Sequence, residues 1–186
     1  MNPIINASNI NFKYKTEQIL YNISFDLMPK EILVILGQSG SGKTTLLKNL
    51  IGIVQPQTGE ILIDAYNITS IRRNQLYDYY KEIGVLFQSA ALINSLSVKE
   101  NIALPLIENT NLDTDIINTL IKIKLSWVGL DDIEHLYPFK LSGGMKKRVA
   151  LARALIMDPK ILFFDEPHSG LDPITTFEIN KLILKI

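Results

Sequence analysis

The chain has 186 residues, and its 19 Lys plus Arg are balanced by 19 Asp plus Glu, so the formal net charge is zero. That balance argues against a dominant attraction to nucleic acid or to anionic lipid. The absence of cysteine excludes disulfides, zinc–thiolate sites and cysteine nucleophiles, and 47% apolar residues fit a well-buried core, not a disordered chain.

Residues 1–15 lack a charged start followed by an apolar run, so no secretory signal is expected. The longest apolar runs, at 32–36, 102–107 and 161–164, fall far short of the ~18 residues that span a bilayer. Ile4–Phe12 and Ile19–Leu27 are rich in strand formers, and 22–27 alternates polar and apolar, as a half-exposed antiparallel strand does. Ile32-Leu33-Val34-Ile35-Leu36 is continuously apolar, which predicts a strand buried on both faces of a parallel sheet. Lys43–Ile51 reads as a helix, Gly59–Asp64 as a strand and Ile83–Phe87 as another buried strand. From Ser97 to Val128 the chain reads as helical. Ser97-Val98-Lys99-Glu100 forms a capping box, and Ile117, Leu120, Ile121 and Val128 share one face. Gly143–Met157 is a helix, Ile161–Phe164 a buried strand, and Asp172-Pro173 opens a last helix. Strands alternating with helices give an α/β fold with a mostly parallel central sheet, preceded by an N-terminal antiparallel β-subdomain and carrying an inserted helical subdomain at about 89–140.

Between the apolar run and the first helix stands Gly37-Gln38-Ser39-Gly40-Ser41-Gly42-Lys43-Thr44, a full match to G-x-x-x-x-G-K-[ST], followed by Thr45. Glycines let the backbone curl until successive N–H groups form an anion nest, and the helix behind it offers its positive end. Lys43 would reach the β- and γ-phosphates of a nucleotide, and the Thr44 hydroxyl would ligate Mg2+.

Ile161-Leu162-Phe163-Phe164-Asp165-Glu166 is an apolar strand ending in two carboxylates. A buried parallel strand delivers such residues to the carboxyl edge of its sheet, where ligands of open α/β sheets bind. Asp165 would hold Mg2+ through its water shell, and Glu166 would polarise a water in line with the γ-phosphorus. Asp-Glu-Pro is also ordinary turn chemistry.

A second anion-binding helix start follows at Leu141-Ser142-Gly143-Gly144-Met145. The set resembles the ATP-binding cassette (ABC) ATPases, whose signature reads L-S-G-G-Q, and the likeness covers about 10–186. Tyr14 stands where that family places an aromatic on adenine, a role preferred here to the other reading, an exposed strand tyrosine. Gln88 matches the family's Q-loop glutamine, which touches Mg2+ and the attacking water. Ser169-Gly170-Leu171-Asp172 matches its D-loop. The resemblance implies an ATP hydrolase using Mg2+. Glu166, Gln88 and Lys43 are its catalytic residues, Tyr14 and 37–45 hold ATP, and Thr44, Gln88 and Asp165 face the metal. Ser142, Gly143, Gly144 and Asp172 act in trans, on ATP held by a second copy of the chain.

Such cassettes pair head to tail around two ATPs and drive an integral membrane permease subunit, whose coupling helix docks on the helical subdomain. The segments Phe87-Gln88-Ser89-Ala90-Ala91-Leu92 and Asn101-Ile102-Ala103-Leu104-Pro105-Leu106, with Met145 in the signature, look like the ATPases of bacterial phospholipid-trafficking transporters (maintenance of lipid asymmetry, toluene tolerance). These work with a lipid-binding substrate protein at the cytoplasmic face of the inner membrane. Other readings are a nucleotide-binding module that does not turn over, the ATPase of another importer or exporter class, and a cassette acting on nucleic acid. The neutral charge disfavours the last, and no nucleic-acid partner is expected. The family's switch histidine, beyond the helix that follows the D-loop, has no counterpart in the residues after Asp172. A short C-terminus or weakened turnover is therefore the expectation.

Lys146-Lys147-Arg148 reads as a solvated helix face. His168, two residues after Glu166, falls at a position that varies in the family and is given no catalytic role. His135 reads as a surface or core histidine, and Ile116, Ile117, Leu120 and Ile121 as core.

Overall fold

Alternation of buried and exposed residues sets the first layer. The computed structural model describes residues 2–185, and the chain divides into two units, Met1–Tyr80 and Lys81–Ile186. In the first, β1 (Ile5–Tyr14) pairs antiparallel with β2 (Glu17–Leu27) and with β3 (Thr58–Ile63), and β3 turns back into β4 (Tyr66–Asn67), giving the order β2-β1-β3-β4. The register of β1 shifts between Ala7 and Ile10, where Asn9 adopts φ +53°. The irregularity resets the alternation, so Ile5, Ala7, Ile10 and Phe12 are all buried. Gly59 lies opposite with φ +98°, and a Cβ there would stand 2.5 Å from the Asn9 carbonyl oxygen, so only glycine fits.

Helix α1 (Lys43–Leu50) contributes buried Leu46, Leu47 and Leu50. Helix α2 (Arg73–Glu82) contributes Tyr79, 1% exposed, whose hydroxyl donates to the Leu50 carbonyl at 3.0 Å. Burial, with Tyr80 beside it, pushes the Tyr79 phenol well above its ordinary pKa.

The structure departs from expectation at 32–36. This run lies in no strand, and Ile32, Val34 and Leu36 are 64%, 67% and 87% exposed. A continuous apolar run is the pattern of a strand with neighbours on both edges and cover on both faces. The pattern states that requirement without supplying the neighbours, and strand identity is a tertiary outcome.

In the second unit β5 (Ile83–Leu86) and β6 (Ile161–Phe164) pair in parallel, Ile83 opposite Ile161 and Leu86 opposite Phe164. Helices α3 (Val98–Asn109), α4 (Thr114–Trp127), α5 (Gly143–Leu155) and α6 (Pro173–Ile183) complete it. The first three share a core that includes Val98, Ile102, Ile121, Leu125, Val149 and Leu151. Ile117 and Ile121 are buried as the periodicity requires, whereas Ile116 is 46% exposed and lies outside the expected core face. The Ser97–Glu100 capping box forms as expected: the Ser97 amide donates to Glu100 at 2.7 Å and the Glu100 amide to the Ser97 hydroxyl. Asn101, fully buried, fastens the preceding loop through bonds with Ile93, Leu96 and Ser97. Among the described residues no helix is long and apolar enough to cross a membrane.

Candidate functional site: a phosphate loop and an acidic strand end

Gly40 and Gly42 take φ +82° and +94°, and Gly42 caps α1 in the left-handed region. This is the conformation for which the sequence places glycine there. A Cβ on Gly37 would come within 2.6 Å of the Ser41 hydroxyl oxygen, so a side chain would fill the cradle. The Lys43 ammonium donates to the carbonyls of Gly37 and Gln38, both at 2.9 Å, which folds it back along the loop. Ser39, Ser41, Thr44 and Thr45 lie on the same short stretch, and none of 37–41 is buried. A main-chain cradle with a lysine at its rim suits a polyphosphate. Tyr14, at the end of β1, is 44% exposed and meets Phe12 edge-on, with ring centroids 4.7 Å apart. Its ring is thus accessible, and it carries no buried packing role.

The acidic cluster belongs to the second unit. β5 and β6 run in parallel, so both end on one edge; β5 leads into Gln88 and β6 into Asp165 and Glu166. Asp165 is 6% exposed, and its amide continues the ladder to the Leu86 carbonyl at 2.9 Å. The Gln88 side-chain amide donates to the Glu166 carboxylate at 3.0 Å and to the Ser169 hydroxyl at 3.1 Å. The Q-loop match is thereby joined to the acidic strand end 78 positions on and to the D-loop match that follows it. Glu166 adopts φ +46°, a left-handed conformation that a non-glycine residue holds only when its surroundings require it. His168 and His135 are exposed and form no part of this cluster.

The solvated face expected for 146–148 is not what the fold builds. Lys147 is 5% exposed and donates to the main-chain carbonyls of Gln88 at 2.5 Å and Glu166 at 3.4 Å. Burial holds its pKa below the ordinary lysine value, while Asp165 and Glu166 pull it back up. Arg148 donates to the Val128 carbonyl at 3.0 Å and pairs with Glu178 of α6. Periodicity carries the missed signal: Lys147 stands three and four positions before Ala150 and Leu151, both fully buried, so it shares the core face of α5. Three cations in a row look like a surface only when helical phase is ignored.

The signature residues occupy the start of α5. Ser142 is the N-cap, its hydroxyl accepting from the Met145 amide at 3.2 Å. A Cβ on Gly143 would make only an ordinary contact with the Leu171 methyl at 3.5 Å, whereas one on Gly144 would lie 2.6 Å from the Thr175 methyl. Gly144 thus also lets α6 approach. Asp172 caps α6, its carboxylate accepting from the amides of Ile174 and Thr175 at 3.0 Å and from the Thr175 hydroxyl at 2.5 Å. These bonds hold its carboxyl below the ordinary range.

Among the described residues no three His, Cys, Asp or Glu side chains cluster as a metal site. Taken unit by unit, the Thr44 hydroxyl in the first and the oxygens of Gln88 and Asp165 in the second are nevertheless hard donors of the type that Mg2+ prefers.

A phosphate loop before a helix and a glutamine–carboxylate pair at a parallel strand edge define the P-loop nucleoside triphosphatase class of α/β fold. A solved dimeric ATP-binding cassette, MJ0796, in a post-hydrolysis state bound to ADP and Pi, superposes with a TM-score of 0.88 at 31% identity, over 97% of this chain and 82% of that one. The family model for ABC transporter matches residues 20–169, and the chain belongs to that family. It is 41% identical over 98% of its length to the Haemophilus influenzae intermembrane phospholipid transport system ATP-binding protein MlaF, covering 69% of that protein. It is 40% identical over its whole length to the Mycobacterium leprae probable ribonucleotide transport ATP-binding protein mkl, of which it spans 54%.

Proposed function

We propose that this chain is the ATP-binding and hydrolysing subunit of a transporter that moves lipid across or between bacterial envelope membranes. The observation that carries the chemistry is the contact of Gln88 with Glu166 at the shared edge of β5 and β6, 3.0 Å between amide nitrogen and carboxylate oxygen. Glu166 is the general base: an ionised carboxylate within reach of a water held by the Gln88 amide accepts the proton as that water attacks the γ-phosphorus. Lys43 and the amides of 37–45 orient the phosphates, Tyr14 covers the adenine, and Thr44, Gln88 and Asp165 hold Mg2+. When bound, the cation neutralises charge developing between the β- and γ-phosphates.

Ser142, Gly143, Gly144 and Asp172 serve the nucleotide of a second copy. A second anion-binding helix start in the same chain fits a phosphate supplied by another copy, and a two-fold head-to-tail pair would supply it. ATP favours the closed pair, and hydrolysis releases it. In this reading residues 1–186 are one ATPase domain with a helical subdomain at about 89–140. An integral permease carries the work into the membrane, a lipid-binding protein delivers or receives the cargo, and the chain is peripheral on the cytoplasmic face of the inner membrane. Support for lipid as cargo comes from the MlaF relative, whose name gives an intermembrane phospholipid transport system.

The test is phosphate release by the complex purified with its membrane partner. ATP-dependent release that Lys43→Ala abolishes is expected. Release equal to that of Lys43→Ala would leave only a nucleotide-gated binding module.

A further inference from the structure

The core face of α5 contains one cation out of place. Lys147, one turn beyond Gly143, shares that face with Ala150 and Leu151 and is 5% exposed. An ammonium taken so far from water needs acceptors for its hydrogens. Its acceptors are two main-chain carbonyls, those of Gln88 at 2.5 Å and Glu166 at 3.4 Å. They belong to the two residues whose side chains meet at 3.0 Å. Both segments also hold unfavourable backbone: Glu166 at φ +46°, Ala90 at +62° and Ala91 at +49°. Such conformations persist where surrounding groups fix them. Here α5 provides those groups. Arg153, two turns along, donates to the carbonyls of Ala90 and Ala91, each at 2.8 Å, and Lys147 closes the end nearer Gln88.

We propose that Lys147 is a positioning residue for ATP hydrolysis: its buried ammonium ties the main chains of Gln88 and Glu166 to one another and to the signature helix. The Gln88 amide and the Glu166 carboxylate are thereby kept facing the same water. The inference rests on the hydrolytic reading above. Lys147 acts through main-chain oxygens. An apolar side chain of similar length would fill its place but leave the two carbonyls without their shared donor. The loop after β5 and the strand end after β6 could then drift apart, and sub-ångström placement of a base and its orienting group carries large rate factors. Because Lys147 sits one turn from Ser142–Gly144, any displacement of the first turn of α5 displaces this donor as well.

The experiment compares Lys147→Met and Lys147→Arg with the unaltered chain in the complex with its membrane partner. Lys147→Met is expected to lower kcat roughly 10- to 100-fold, with KM for ATP within about twofold because the phosphate loop is a separate element. Lys147→Arg, which keeps forked donors, is expected to recover much of the loss. In a Gln88→Ala background Lys147→Met should cost clearly less than in the unaltered chain, since one of the two side chains it positions is gone. Hydrogen–deuterium exchange reads the same clasp without turnover: peptides covering 87–91 and 165–169 should exchange faster in Lys147→Met, and those covering 37–45 should not. An unchanged kcat, a full additional loss on Gln88→Ala, an arginine no better than methionine, or unchanged exchange at 87–91 would each overturn the proposal. Turnover no higher than that of Lys43→Ala in the unaltered chain would instead remove the hydrolytic reading, and this role with it.

Discussion

The phosphate loop and the acidic strand end hold their polar groups with different materials. The loop is main chain: nine consecutive residues, 37–45, two of them glycine at positive φ, with one lysine folded onto two of its carbonyls. The strand end is side chain and tertiary contact. Gln88 and Glu166 are 78 positions apart and meet only because β5 and β6 are parallel neighbours, with Lys147 of α5 beneath both. The loop carries its geometry in local sequence, whereas the strand end borrows it from elements packed around it. Damage to the loop should therefore be specific to phosphate contact, and damage beside the strand end should spread through packing.

Substitutions can break that contrast. Glu166→Gln keeps shape and removes the base. Turnover should fall by roughly 100- to 10,000-fold, with ATP binding retained and the ATP-bound dimer accumulating, as read by phosphate release and size-exclusion chromatography. Turnover near that of the unaltered chain would exclude Glu166 as base. Lys43→Ala should cost roughly 100- to 1,000-fold in turnover and weaken ATP binding measurably in titration calorimetry, while the melting temperature without nucleotide changes little, because the ammonium's bonds to the Gly37 and Gln38 carbonyls lie within a solvent-exposed loop. Gly84→Ala tests the packed region. A Cβ there would lie 2.3 Å from the Ala154 carbonyl oxygen of α5, so about 1–3 kcal/mol of stability should be lost in urea melts, and turnover should fall with it as α5 is pushed off β5.

The smallest effect concerns pH. The Glu100 carboxyl, through its bonds with Ser97, and the Asp172 carboxyl, through its bonds with Thr175, both sit below their ordinary range. A carboxyl depressed in the folded state contributes stability above the ordinary carboxylate pKa of about 4, and that contribution is lost as pH falls through the folded value. Glu100→Gln and Asp172→Asn should thus lower the melting temperature slightly at neutral pH, with the difference from the unaltered chain shrinking below about pH 4. A difference that grows on acidification would reverse the assignment.

Local patterns were legible where local physics decides. The capping box at 97–100, the Asp172 cap with Pro173 behind it, the glycines of 37–42 and the helical phase of Ile117 and Ile121 all depend on residues a turn or less apart. Helix α2 carries no comparable signal: Arg73–Glu82 is mostly exposed, with Tyr79 its one buried side chain. The run 32–36 has a strand's preference but lies in no strand, since cover for an apolar strand comes from elsewhere in the chain. Lys147 departs from expectation for a related reason. Charge suggested solvent, whereas phase and two distant carbonyls placed it inside.

The sequence by itself determined the composition-level exclusions, the phosphate loop, the order of the nucleotide-site motifs and the caps that start α3, α5 and α6. Each is set by residue type at short spacing, where backbone conformation and hydrogen bonding answer to immediate neighbours. Only the tertiary structure decided that Gln88 meets Glu166, that Gly144 makes room for Thr175, and that a lysine from the middle of a basic run is buried beneath the acidic pair. Those outcomes depend on which faces are brought together, and the free energy of burying a polar group is fixed by partners that the neighbouring sequence does not contain.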